Sequence, residues 1–324
     1  MSRIISMALV ACLGAALSVA AVAAPTTAPA PATSPVATGA AAATATAPTR
    51  SGRLAINGVD YYYEVRGKGE PLLLLHGGLG SIAMFGPVLE SLVAGREVIA
   101  VDLQGHGHTA LGERSFRLQD MGDDMAALVR KLGYTQVDVL GYSLGGGVAF
   151  RMAAQNPAQV RRLVMVSTAF SDEGYYADVR VQQNALTPAM APMMAGTPMY
   201  ASYAAVAPKV EEFPRLLGVV GDFMRAKYDW SADVAKLTMP VMLVYGDGDM
   251  LRPEHEVAFY QLLGGGLRDA GWGREAMSRN RLAILPDLTH YEIFASPRLV
   301  SAVLPFLDGR SDVKSWAQQA DAAR

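Results

Sequence analysis

From about residue 53 onward, short apolar runs alternate with longer stretches of helical periodicity. The four leucines at 72–75 form a continuous apolar run, the pattern of a strand covered on both faces. Comparable runs occupy 97–101, 137–140, 163–167, 240–245 and 281–285. Helix-length amphipathic segments lie between them at 84–94, 118–132, 144–155 and 253–263, with a last one at 297–307. This alternation predicts an α/β domain, a mostly parallel sheet with helices on both faces, spanning about 51–310. Two runs, 53–56 and 61–66, flank Asn57-Gly58 and predict an opening antiparallel hairpin. The rhythm breaks at 169–234, which is rich in Met, Ala, Pro and Tyr and shows helical periodicity only near 176–186 and 213–228. That stretch predicts an inserted helical cap over about 170–234. Residues 264–279 read as a Gly-rich surface loop, and the polar tail at 311–324 is expected to fray.

The first residues have a different character. Arg3 precedes an apolar, small-residue stretch at 4–24 that ends in Ala21-Val22-Ala23, a small-x-small cleavage pattern. A secretory signal peptide over 1–24 is expected, cut after Ala23 or Ala24, which makes the protein exported, periplasmic or secreted. An uncleaved anchor fits less well with so many small residues. Leu9-Val10-Ala11-Cys12 resembles a lipobox, but the apolar run continues well past that cysteine. Residues 25–50, dominated by Ala, Thr and Pro, have little to bury and read as a disordered linker. Cys12 is the only cysteine, so a processed chain would have no disulfide, no thiol nucleophile and no Cys-ligated zinc. No H-E-x-x-H pattern occurs, and neither a metal nor a cofactor is expected. With 28 Lys and Arg against 30 Asp and Glu, the net charge of −2 gives no reason to expect nucleic acid as a partner. Nor is stable membrane insertion expected once the signal is removed.

The candidate chemistry centres on Gly141-Tyr142-Ser143-Leu144-Gly145. A G-x-S-x-G pentapeptide alone is weak, but this one lies between an apolar strand and a helix-forming run, the setting of a nucleophile elbow. Glycines two residues either side let the turn close, and the following helix directs its positive end at Ser143. A serine hydroxyl needs a base within hydrogen-bond reach. Of the five histidines, His290 stands just past the last strand, at the strand-end edge where ligands meet such sheets. The base needs a carboxylate to fix its tautomer. Gly246-Asp247-Gly248-Asp249 follows a strand, and Asp249 is preferred because two more residues let the loop turn back over the edge. Asp247 and Asp172 remain alternatives. Two donors are needed for a tetrahedral oxyanion, and the backbone N–H groups of Leu144 and Gly78, the latter in His76-Gly77-Gly78-Leu79-Gly80, are the candidates.

Together, His76-Gly77-Gly78, Asp102-Leu103-Gln104-Gly105-His106-Gly107, the Ser143 pentapeptide, Gly246-Asp247-Gly248-Asp249 and Leu285-Pro286 leading to His290 resemble the successive motifs of the α/β-hydrolase fold superfamily, in its serine carboxylesterase and lactonase-like branch. The resemblance covers about 53–308 and implies an eight-stranded, mostly parallel sheet with the acid after the seventh strand and the base after the eighth. It also implies that the Asp102 loop supports the site without taking part in the chemistry. The stretch from Asp249 to His290 is longer than the superfamily pattern because of the 264–279 insertion.

These readings predict a serine hydrolase acting on carboxylic esters of small to medium, largely apolar substrates, with lactones and carbon–carbon bonds of β-diketone-like substrates as alternatives. An epoxide hydrolase or dehalogenase on this fold would carry Asp where Ser143 stands. Met190, Met193, Met194, Met199, Phe223 and Met224 are candidates for an adaptable acyl pocket, or simply for packing of the cap onto the sheet. Two remote alternatives remain. One is a non-catalytic binding module. The other is a dinucleotide oxidoreductase, suggested by Gly78-Leu79-Gly80-Ser81-Ile82-Ala83 with Asp102 at the spacing of a ribose-binding acid.

Overall fold

A computed structural model describes residue 48, residues 50–311 and residues 313–322; the expected signal peptide, Cys12 and nearly all of the linker lie outside the described residues. The first two strands, β1 (Arg50–Ile56) and β2 (Val59–Arg66), form the expected hairpin. Ile56 pairs with Val59, which leaves Asn57 and Gly58 alone in the turn, both at positive φ (46° and 86°). That is the geometry a two-residue hairpin turn requires. Then come β3 (Glu70–Leu75), β4 (Arg96–Val101), β5 (Val137–Tyr142), β6 (Val160–Val166), β7 (Val241–Gly248) and β8 (Arg281–Thr289). They form one eight-stranded sheet in the order β1-β2-β4-β3-β5-β6-β7-β8, antiparallel at β1 and β2 and parallel from β4 to β8.

The helices fall on two faces because the strand side chains alternate. Leu73, Leu75, Val137, Val139, Leu163, Met165, Val241 and Leu243 belong to one buried cluster, with residues of α2 (Leu118–Lys131), α3 (Leu144–Gln155) and α9 (Pro253–Leu262). Leu72, Leu74, Leu140, Val164, Val166, Met242 and Val244 belong to the other, with residues of α1 (Gly86–Val93) and α10 (Pro297–Leu307). The uninterrupted apolar strands thus feed two cores at once.

No strand runs between β6 and β7. That interval holds α4 (Ala177–Asn184), α5 (Ala191–Met194), α6 (Pro198–Ala204), α7 (Phe213–Arg225) and α8 (Ser231–Val234). Its ends are stitched together by an antiparallel bridge, Ser171 to Asp229, and by backbone bonds from Asp172 N to Tyr228 O (3.1 Å) and Trp230 N to Phe170 O (2.8 Å). The insertion therefore leaves and re-enters the sheet at one neck. Residues 264–279 contain no helix or strand. In the tail, α11 (Trp316–Ala322) forms. Ser315 and Gln318 cap it reciprocally (Ser315 Oγ from Gln318 N, 3.1 Å; Gln318 Oε1 from Ser315 N, 2.9 Å), and Trp316 meets Trp272 of the 264–279 loop edge-on at 6.2 Å.

Candidate active site

Ser143 stands between the last residue of β5 and the first of α3, with φ 52° and ψ −116°, values an L-residue rarely adopts. The turn is possible only because its neighbours lack side chains. A Cβ on Gly141 would meet the Gly145 carbonyl group, and one on Gly145 would meet the carbonyls of Leu75 and His76 at the end of β3. Ser143 is half-buried, and its side chain makes no capping bond to α3, so the hydroxyl is free for other partners.

Sheet register brings in the other two residues. Gly248 of β7 pairs with Thr289 of β8, so Asp249 and His290 are the next residues on adjacent strands. The alignment depends on an irregularity between Gly246 and Gly248 and on Asp287 at φ 58°; a Cβ on Gly246 would run into the Leu288 carbonyl. His290 Nε2 lies 3.0 Å from Ser143 Oγ, and His290 Nδ1 lies 3.0 Å from Asp249 Oδ1. Burial of Asp249 works to raise its pKa. The His290 hydrogen bond and charge, the Ser167 hydroxyl and the Gly246 N–H outweigh this and hold it below the usual carboxylate range. An ionised carboxylate only accepts, so His290 Nδ1 carries the proton it donates, and in the neutral ring Nε2 is left to accept from the Ser143 hydroxyl. That is the tautomer a general base requires.

The alternative acids are engaged elsewhere. Asp247 Oδ1 accepts from Leu288 N (3.3 Å), and Asp172 accepts from Tyr228 N (3.0 Å) and pairs with Arg180 (3.2 Å).

A family model described as the alpha/beta hydrolase fold matches residues 70–197. Among curated proteins, a putative carbamate hydrolase, RutD, of Azorhizobium caulinodans is 28% identical over 256 residues, covering 71% of this chain and 91% of the relative. A soluble epoxide hydrolase of a Corynebacterium species is 39% identical over 111 residues, 34% of this chain and 39% of that protein. A solved thermophilic esterase from Thermogutta terrifontis superposes with a TM-score of 0.62 at 19% identity, over 80% of this chain and 98% of its own. The chain has the α/β-hydrolase fold.

On this fold the two candidate oxyanion donors lie together. A Cβ on Gly78 would be 3.8 Å from that of Leu144, and one on Gly77 would be 3.5 Å from that of Ser143. Among the described residues neither the Gly78 nor the Leu144 N–H is donated to a protein acceptor. The loop that carries Gly78 is held by Asp102 and His76. Asp102 Oδ1 accepts from Ile82 N (2.8 Å), and its Oδ2 accepts from His108 N and Nδ1 (both 2.8 Å). His76 is fully buried: Nε2 accepts from Leu103 N (3.0 Å) and Nδ1 donates to Gly77 O (2.7 Å). Both bonds suit a neutral ring, and burial pushes its pKa down. Asp102 is also buried, 1% exposed and out of reach of a ribose, which removes the support for a dinucleotide site. Among the described residues no cluster of His, Cys, Asp or Glu is placed to hold a metal ion, and no helix is long and apolar enough to cross a membrane.

Two residues at the site escaped the sequence reading. Ser167, at φ 51° just past β6, donates its hydroxyl to Asp249 Oδ2 at 2.5 Å. Tyr142, the residue before the elbow serine, donates its hydroxyl to the backbone carbonyl of His290 at 2.6 Å. The signal for Tyr142 was its phenol inside a strand otherwise buried on both faces, because a buried hydroxyl must find an acceptor.

The candidate acyl-pocket residues differ in exposure. Met193 is 53% exposed and faces solvent, a correction to its place in that set: α5 turns one flank outward, and Met193 is on it. Met190 and Met194 are buried on the same short segment, while Met199, Phe223 and Met224 are half-buried. Phe223 packs toward the sheet cluster and stacks on Tyr228 at 6.4 Å.

Proposed function

We propose that the protein is a serine hydrolase that cleaves carboxylic esters through an acyl-enzyme on Ser143. One observation carries the reading: the unbroken chain Ser143 Oγ–His290 Nε2 and His290 Nδ1–Asp249 Oδ1, each link 3.0 Å. His290 takes the Ser143 proton as Oγ attacks the ester carbonyl carbon. The tetrahedral oxyanion lies against the Gly78 and Leu144 N–H groups at the positive end of α3. Asp249 stabilises the imidazolium, which then protonates the departing alcohol. A water molecule, deprotonated by His290, attacks the acyl carbonyl, and Ser143 leaves with its proton returned.

Apolar Met and Phe side chains in the insertion favour small to medium, largely apolar acyl groups. The signal-peptide pattern in 1–24 favours action outside the cytoplasm, which fractionation of the source cells would test. The activity test is a series of para-nitrophenyl esters of graded chain length beside a lactone panel, with fluorophosphonate labelling of wild type and Ser143→Ala. Labelling and short-ester turnover that vanish together in Ser143→Ala are expected. Wild-type protein that neither labels nor turns over esters refutes the reading, and turnover confined to lactones refutes its substrate part.

A further inference from the structure

His290 is carried by a turn at the edge of the sheet, between the buried Leu288 and Ile293. It lies in the turn leaving β8, an edge strand paired only to β7 and interrupted by the irregularity at 285–289. Within the turn, Thr289 N and Oγ1 both donate to Glu292 at 2.5 Å. Asp249 orients the imidazole through Nδ1, but a bond at the far end of a side chain does not fix the height of the backbone beneath it.

A long-range bond does. Tyr142 ends the central strand β5, is 4% exposed, and donates its hydroxyl to the His290 carbonyl at 2.6 Å, across 148 residues of sequence. Its ring packs 5.2 Å from the His290 imidazole and 5.0 Å from Phe294. The same ring abuts the oxyanion loop, since a Cβ on Gly77 would fall 2.5 Å from its Cε1. One side chain, on the residue next to Ser143, thus touches both the base-bearing turn and the loop of the Gly78 donor.

We propose that Tyr142 is a positioning residue that sets His290 at hydrogen-bond distance from Ser143, through its hydroxyl bond to the His290 carbonyl. The proposal rests on the serine-hydrolase reading for its kinetic consequence and on geometry alone for its structural one. Burial raises the pKa of the phenol far above its ordinary value, so it remains a donor at every working pH. Misplacement of a catalytic group by about 1 Å can cost on the order of 10²-fold in rate, and the ring packing left in a phenylalanine limits the shift to a fraction of that distance. A loss of about tenfold follows.

The test compares wild type with Tyr142→Phe, which deletes the bond and keeps the ring. Both are assayed below their melting transitions with one para-nitrophenyl ester. Expected are a kcat about tenfold lower, KM unchanged, and the same ratio from about pH 6 to about pH 9. In protein labelled with ¹⁵N-histidine, the downfield Nδ1–H proton of His290, assigned by its loss in His290→Gln, should move upfield or broaden. Wild-type kcat in the variant overturns the proposal, as does a change confined to KM. Wild-type protein inert to esters and fluorophosphonate defeats the hydrolase reading instead. The His290 resonance then decides the role of Tyr142, and an unshifted signal overturns it.

Discussion

The backbone at Ser143 stores strain that a substitution can release. At φ 52° and ψ −116° a side chain crowds its own carbonyl, and residues held in such regions cost of order 1–3 kcal/mol. Ser143 does not cap α3 by its side chain, so removing the side chain forfeits no helix bond. Glycine adopts this conformation freely but loses about 0.5–1 kcal/mol more chain entropy on folding than alanine. The difference predicts that Ser143→Gly is more stable than Ser143→Ala by about 0.5–2 kcal/mol. Alanine keeps the strain and glycine removes it, while both lose the hydroxyl and its 3.0 Å bond to His290, so the comparison isolates the backbone. For a domain of this size the gap corresponds to roughly 2–5 °C in melting temperature. Calorimetry of the two variants under one buffer condition reads it directly. A glycine variant melting at or below the alanine variant would refute the strain argument.

Two further predictions concern pH. His106 and His255 are buried and neutral, with pKa values pushed down by burial to about 3 and about 4. The unfolded chain therefore binds more protons than the native one below about 6.5, and stability should fall as pH drops through that range, by about 2–3 kcal/mol for each residue at pH 4.5. Urea titrations at neutral pH and pH 4.5 would show it. His106→Asn, which retains a donor for the Gln104 carbonyl, should recover about half of the loss, and an undiminished loss would remove His106 from the account. Glu256 runs the opposite way. Burial raises its pKa to about 8, so the native state holds the extra proton and stability drains as pH rises from about 4.5 to about 8. Glu256→Gln should gain melting temperature over wild type as the buffer moves from pH 5.5 to 8.5, and a constant difference would contradict the shift.

The sheet and the elbow were legible because their signals are local. A strand buried on both faces must be continuously apolar, and 72–75 and 137–140 are; a turn as tight as that at Ser143 must have glycines at 141 and 145, and it does. The choice between Asp247 and Asp249 was harder, because it depends on the pairing of Gly248 with Thr289, a register set by irregularities at Gly246 and Asp287 that leave no periodic trace. Ser167 was missed because nothing within its own strand shows that its hydroxyl meets a carboxylate 82 residues away. The helix at Trp316–Ala322 was missed although Ser315 and Gln318 stand at capping-box spacing, since the polar composition drew the reading toward a loose tail. The methionines were over-read: composition shows that the insertion can be apolar, but which methionines turn inward depends on the pitch of short helices.

Burial forces the assignment of most polar groups around the site, though His106 Nε2 is left without a partner among the described residues, and the elbow keeps open the groups a reaction needs. Asp249 is almost wholly enclosed, and its carboxylate receives Ser167, Met250 N, Gly246 N and His290. Asp102 and His76 are enclosed as well, and their bonds are spent holding two loops in register. At the opposite edge of the sheet, Asp138 is clasped by Arg96 and Arg161, each at 2.7–2.8 Å, so the starts of β4, β5 and β6 are tied as firmly. A buried group without a partner costs about 1–3 kcal/mol, which is why such positions are few. At the elbow the Ser143 hydroxyl keeps one side open, and the Gly78 and Leu144 N–H groups have no protein acceptor among the described residues. A nucleophile and two donors with unmet hydrogen-bonding capacity, side by side at the head of a helix, match what a tetrahedral oxyanion requires better than they match the needs of a resting fold.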